Sequence, residues 1–400
     1  MSTLFSPMDL KGHALPNRIA MAPLTRCRAG DGDVPQPISA VYYAQRASAG
    51  ILVSEATNVT PKSCAFEKAP GIYSEAQVAG WKVVTDAVHK AGGRIFMQLW
   101  HCGRVGSEAI LNGEAPLSPS GVNDDLGSLQ VYGLMANGRY AQIAATPSRA
   151  MTLAEVEETI ADYAKGAVNA IKAGCDGVEI HAANGYLPHQ FLSATLNQRT
   201  DKYGGSLEGR LQFLKEVIEA ILAKVDASKV GIRISPFAGY NNTRDPNAKE
   251  TYTAVAKMVE SYGLVYLHVA DTNAWGGTPD MPEILKTVRP HYTGCLMGNG
   301  GIDPVDAQKM VEEGALDMVA FGRPFLSNPD LPARIKNGGP YNEARYVGWY
   351  GGSEEGYTDY PALYTISCFD FALGNQVSKA LVSNNGGFLH LWVESHCLWQ

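Results

Sequence analysis

Gly174-Cys-Asp-Gly-Val-Glu-Ile-His-Ala-Ala-Asn-Gly-Tyr-Leu-Pro-His-Gln-Phe191 is the stretch from which the rest of the chain can be read. Its first part, Gly174 to Ile180, is an apolar run of strand length. It stops at His181 and Asn184, two polar side chains three residues apart, with Tyr186 just beyond. A buried strand that ends this way delivers two hydrogen-bond donors and a phenol to one small ligand at the strand end. Donors so placed can hold a carbonyl oxygen. The same histidine and asparagine could instead serve only the turn after the strand, so the remaining chain has to decide.

Working outward, the same pattern recurs seven more times. Short apolar runs at Arg18 to Leu24, Gly50 to Ala56, Arg94 to Trp100, Val230 to Ile234, Leu264 to Ala270, Gly294 to Met297 and Asp317 to Phe321 each end at a polar residue or a glycine. Between most of them lie segments of helical periodicity, among them Gln77 to Ala91, Leu153 to Lys172, Leu207 to Lys224, Tyr252 to Tyr262 and Pro304 to Glu313. Continuously apolar strands alternating with helices imply a parallel sheet, and eight such units close into a (β/α)8 TIM barrel. An open, doubly wound sheet is the second choice. In the barrel, Thr25, His101, His181, Arg233, Gly300 and Arg323 fall at the C-terminal strand ends, where catalytic groups gather. Two connections on that face are long, Cys102 to Met151 and Ala182 to Ser206. Within the first, Gln130 to Leu134 and Tyr140 to Ala144 around Asn137-Gly138 read as a capping hairpin after the third strand.

Composition narrows the function. With 45% hydrophobic residues over 400, the chain can bury a large core. The net charge of -7 and the scattered Lys and Arg offer no field for a phosphate backbone, which excludes nucleic acid as main partner. No uninterrupted apolar run approaches ~18 residues and Met1 to Leu10 carries no leader pattern, so no membrane partner and a cytoplasmic protein are expected. Seven dispersed cysteines suggest neither disulfides nor a zinc ribbon, and the spacing of histidines and carboxylates fits no metal template.

Arg233 lies inside an apolar strand, where an unpaired guanidinium is costly. It must face either a carboxylate such as Glu179 or Asp271, or a bound anionic ligand. The glycine turns Gly298-Asn-Gly-Gly301 and Gly322-Arg323 follow the seventh and eighth runs. In a barrel, exposed amides there, a helix N-terminus and an arginine fork form a phosphate cradle. Gln98 should point into the barrel, either holding a heteroaromatic edge or filling a layer. A phosphorylated ligand also suits a flavin-free aldolase or isomerase with His181 as base.

The motifs MAPLTRCRA, SEAT, QLWHCGR, HAANGYLPHQFLSATLNQRTDKYGGSLEGR, NGGI, FGRPFLSNPDL and YGGSEEGYTDYP occur in order over residues 4 to 362, and together they resemble the Old Yellow Enzyme family. The resemblance implies one FMN-binding barrel over residues 1–363, with 364–400 as an atypical C-terminal extension. It implies FMN reduced by NADPH and reduction of the C=C bond of unsaturated carbonyls, nitroalkenes or quinones, by a monomer or homodimer. Carried over by motif, Pro23, Leu24 and Thr25 border the flavin, Ala56 and Gln98 contact its pyrimidine, and Arg233 faces N1 and O2. Gly300, Gly301, Gly322 and Arg323 hold the phosphate. His181 and Asn184 bind the substrate oxygen, Tyr186 protonates Cα, and Phe66, Trp100, Trp275 and Tyr350 line the pocket.

Overall fold

The eight apolar runs become eight parallel strands that close on one another. In the computed structural model they are β1 (Ile19–Met21), β2 (Ile51–Val53), β3 (Ile95–Trp100), β4 (Gly177–Ala182), β5 (Val230–Ile234), β6 (Tyr266–Ala270), β7 (Leu296–Asn299) and β8 (Met318–Phe321). Each pairs with the next, and β8 returns to β1 through Val319–Ile19, Ala320–Ala20 and Phe321–Met21. The architecture is therefore the (β/α)8 barrel and not the open sheet. The structure describes residues 2–363 and, beyond them, only the backbone of 364–365, 371–372, 377–378, 381–383 and 388–389. The expected extension thus lies largely outside the described residues.

Helices α1 (Pro37–Gln45), α2 (Glu75–Lys90), α3 (Leu153–Lys172), α4 (Leu207–Leu222), α5 (Ala248–Tyr262), α6 (Met281–Val288), α7 (Pro304–Glu312) and α8 (Leu331–Asn337) cover the barrel. Their ends are set locally. Ser74 with Gln77 and Thr152 with Glu155 form capping boxes that satisfy the orphan amides of α2 and α3. Gly263 and Gly338 end α5 and α8 in the left-handed region, where glycine is favoured.

Inside the barrel, large and small side chains alternate in the register that the strands impose. Gly177 lies beside Phe96, and a Cβ there would stand 2.3 Å from the ring; Gly231 lies beside Tyr266, with 2.4 Å left. These two rings fill the lower barrel with Ile51, Met297 and Met318. An antiparallel hairpin, Met8–Leu10 with His13–Leu15, closes the bottom by adding Leu10 and Leu15 to that cluster. The sequence reading has no counterpart for this hairpin, because three-residue strands carry no periodicity.

At the other end, the long segment after β3 forms the expected hairpin, Val131–Leu134 with Tyr140–Ile143. Its loop is longer than a two-residue turn: the Gly138 amide donates to the Met135 carbonyl and the Met135 amide to that of Arg139. Gly138 supplies the left-handed φ of 79°.

Candidate active site

His181 sits inside β4 rather than after it, because the strand runs on to Ala182. In register it stands beside Arg233 of β5, which in turn stands beside His268 of β6. Three inward-pointing polar residues on adjacent strands therefore share one layer. One step below, Gln98 of β3 is level with Glu179 of β4, and its Nε2 donates to Glu179 Oε1 at 2.7 Å. His268 Nδ1 lies 2.9 Å from Glu179 Oε2, where it donates as the neutral tautomer. Burial pushes the His268 imidazole below its ordinary range; at Glu179 the cost of desolvation is outweighed by the electrostatic pull and hydrogen bond of His268, the Arg233 charge and the Gln98 hydrogen bond, which keep its carboxyl below the usual carboxylate value.

Arg233 is buried and makes no ion pair within 4 Å among the described residues. Its Nη2 donates to Asn299 Oδ1 at 2.9 Å, and Asn299 is itself anchored to the Ala320 carbonyl. Neither carboxylate considered as its partner pairs with it: Asp271 is engaged by the amides of Asn273 and Asp280, and Glu179 by Gln98 and His268. Arg233 Nε has no partner.

The turn beyond β4 is held from several sides. Asn184 adopts a left-handed φ of 58°. Its amide donates to Ser235 Oγ at 2.8 Å, and the Gly185 amide donates to His189 Nδ1 at 3.0 Å. Yet His181 Nδ1 and Asn184 Oδ1, both buried, have no partner. An unpaired buried polar atom costs about 1–3 kcal/mol. Several in one place, with Arg233 Nε and Trp100 Nε1 also unpaired, mark a site built for a ligand. Burial, with the Arg233 charge next, drives the His181 imidazole well below its ordinary range, so it is a neutral donor at neutral pH. Burial, with Tyr240 next, holds the Tyr186 phenol well above its ordinary value.

Tyr186 meets His181 and Trp100 edge-on, with ring centroids 5.0 and 5.1 Å apart. Phe66 joins Trp100 at 6.4 Å and Tyr350 at 5.4 Å, so these pocket residues from distant segments form one aromatic wall. Tyr132 and Tyr140 of the hairpin complete it against Tyr350. The sequence reading missed both; the hairpin itself was legible, and its inward tyrosines were the available signal. Trp275 stands apart at the rim, 43% exposed, against Tyr240, another residue not anticipated.

Pro23, Leu24 and Thr25 leave β1 half-buried, and Ala56 lies buried beyond β2. Leu24 comes close to Gly322, whose added Cβ would be 3.5 Å from Leu24 Cδ2, so the first and eighth strand ends converge. Gly300 and Gly301 take left-handed φ values of 104° and 68°. At Gly300 a Cβ would stand 2.3 Å from the Asp271 carbonyl, so only glycine allows this approach. Arg323 is exposed beside this turn region. Two helices begin near these turns: Asp303 caps α7, with its carboxylate accepting from the Val305 and Asp306 amides, whereas Gly322 opens the short helix Arg323–Ser327 with no side chain on its first amides.

The model of the NADH:flavin oxidoreductase / NADH oxidase family matches residues 3–342. The chain belongs to this family. It is a member of the Old Yellow Enzyme group, hence an FMN flavoprotein and an oxidoreductase. It is 40% identical to 12-oxophytodienoate reductase 1 of Oryza sativa subsp. japonica, over 91% of this chain and 94% of that protein. It is likewise 40% identical to chanoclavine-I aldehyde reductase of Penicillium roqueforti, over 90% and 96%. Among solved structures, morphinone reductase superposes with a TM-score of 0.86 at 40% identity, covering 90% of this chain and 96% of that one. The Old Yellow Enzyme homologue from Zymomonas mobilis gives 0.83 at 38%, over 90% and 99%. The residues present fit FMN. Arg233 carries an unpaired buried Nε–H suited to an electron-rich ring edge, and the Gln98 carbonyl is left over once its amide nitrogen serves Glu179.

Proposed function

We propose that this chain is an NADPH-dependent ene-reductase that saturates the C=C bond of α,β-unsaturated carbonyls, nitroalkenes and related acceptors. The observation that carries the reading is the pair of unpartnered, buried side chains, His181 and Asn184, beside a protonated Tyr186 at the mouth of a flavoprotein barrel. Pro23, Leu24, Thr25, Ala56, Gln98 and Arg233 would hold the flavin ring, and Gly300, Gly301, Gly322 and Arg323 its phosphate. FMN, when bound, supplies the hydride that reaches Cβ of the alkene. His181 and Asn184 donate to the carbonyl or nitro oxygen and stabilise the charge that grows there as hydride arrives. Tyr186 gives its proton to Cα. Phe66, Trp100 and Tyr350 enclose the acceptor, with Trp275 at the rim, and exclude water.

The relatives' names support this class, being reductases of an oxophytodienoate, of morphinone and of an aldehyde, and morphinone reductase has been solved with tetrahydroNAD. Steady-state oxidation of NADPH and of NADH with cyclohexenone, a nitroalkene and a quinone tests it. The expected outcome is faster turnover with NADPH and a saturated ketone from cyclohexenone. An allylic alcohol as product, or a preference for NADH, would contradict the corresponding part of the reading.

A further inference from the structure

Asn241 lies in the loop after β5, and both ends of its side chain are used. It is buried, with a left-handed φ of 53°. Its Nδ2 donates to the Asn184 carbonyl at 2.9 Å, and the Gln130 amide donates to its Oδ1 at 2.9 Å. Those partners fix the amide's orientation, because a backbone carbonyl can only accept and a backbone N–H can only donate.

Asn184 needs such support. Its left-handed backbone is one that asparagine tolerates better than most residues but that still lies above the right-handed region in energy, and Oδ1 of its own side chain, buried and unpaired, finds no anchor. Where its amide points is therefore decided by its backbone. That backbone is tied at the amide by Ser235 and at the carbonyl by Asn241. The next residue, Gly185, is packed against the same loop, so that a Cβ there would be 2.7 Å from Asn241 Cβ and 2.3 Å from Thr243 Oγ1. Gln130 directly precedes the hairpin strand Val131–Leu134, whose Tyr132 belongs to the aromatic wall.

We infer that Asn241 is a positioning residue that holds Asn184 in its donor geometry and couples that donor to the capping hairpin. Substrate shape sensed at the hairpin and oxygen binding at Asn184 are then one linked property. The inference rests on the ene-reductase reading above, in which Asn184 binds the substrate oxygen.

The test uses the FMN-loaded protein and p-chlorophenol, an analogue of the enolate, with affinity read from the change in flavin absorption. Asn241→Gly removes both side-chain bonds while tolerating the left-handed backbone. It should keep its FMN, weaken phenol binding about fivefold or more because one buried acceptor loses its donor, and raise KM for cyclohexenone more than it lowers kcat. In an Asn184→Ala background the same change should cost less than about twofold, since the group it positions is gone. Asn241→Asp, which keeps the acceptor for Gln130 but sets a carboxylate against the Asn184 carbonyl, should be at least as weak, and it carries the same cycle if the glycine variant fails to fold. Unchanged affinity in the single variant, or an equal loss in the Asn184→Ala background, overturns the inference while leaving the ene-reductase reading intact. A wild-type protein that holds FMN but binds no phenol, or an Asn184→Ala variant that binds it as wild type does, overturns the donor assignment and this inference with it.

Discussion

In the proposed mechanism, Tyr186 separates proton delivery from every other function of the site. Burial holds its phenol well above its ordinary value of ~10, so it stays a proton donor through neutral and mildly alkaline pH. Tyr186→Phe keeps the ring against His181 and Trp100 and removes the acid. Stopped-flow reoxidation of the reduced variant should be slow with cyclohexenone, less affected with a nitroalkene and nearly normal with a quinone, which needs no carbon protonation. Equal slowing of all three would assign Tyr186 to binding. His181→Ala and Asn184→Ala should each lower alkene turnover about a hundredfold or more, from ~2.7–4 kcal/mol lost per oxyanion donor. Rates within about threefold of wild type would remove them from the mechanism. These three residues were legible because a polar cluster ended an apolar run. Tyr240 and Asn241 were not, since each acts through partners dozens of residues away and neither interrupts the local pattern; Glu179 stood out as a charge in an apolar run, but its partners proved to be Gln98 and His268 rather than Arg233.

Among the elements, the segment from Arg345 to Tyr360 carries Tyr350 to the pocket without any helix or strand of its own. It is pinned by arginines from the barrel. Arg26, buried against the Tyr42 and Tyr357 rings at 4.9 Å each, donates to the carbonyls of Gly348, Trp349 and Gly356. Arg28 lies 4.0 Å over Tyr357 and Arg46 3.8 Å over Tyr42. Removing Arg26 leaves the Trp349 and Gly356 carbonyls without a donor, while Gly348 keeps the one from Arg28. Arg26→Leu should therefore destabilise the fold by about 3 kcal/mol or more. Arg345→Leu, which breaks the exposed pair with Asp359, should cost at most about 1 kcal/mol. Denaturant unfolding of the two variants checks the order, and comparable losses would contradict the clamp. In the sequence these arginines resemble surface charges. Strand and helix existence was readable because burial on one face imposes a period, whereas α7 ended up capped by Asp303, a competition among side chains that periodicity does not encode.

For the whole molecule, buried imidazoles make acid the weak side of its stability, His268 and three others among them. His101 and His189 are pushed down to about 3 by burial, and His181 well below its ordinary range. The folded protein keeps them neutral, while the unfolded chain protonates them below ~6.5. Their contribution is therefore full above ~6.5 and is lost as pH falls toward about 3, by about 1.4 kcal/mol per pH unit for each ring. His101→Gln should make the decline of unfolding free energy between pH 6.5 and 5 shallower by about that slope; parallel curves would contradict it. The barrel was legible at this scale because eight strand ends placed polar residues on one face, while closure at the bottom depended on a hairpin too short to read. An anaerobic spectral titration checks whether this face forms an FMN site whose paired donors activate an alkene. The purified protein should be yellow, bleach on adding NADPH, and regain its colour on adding cyclohexenone, which is recovered as the saturated ketone. A colourless protein that releases no FMN on denaturation, or a bleached one that an enone cannot reoxidise, would contradict the account.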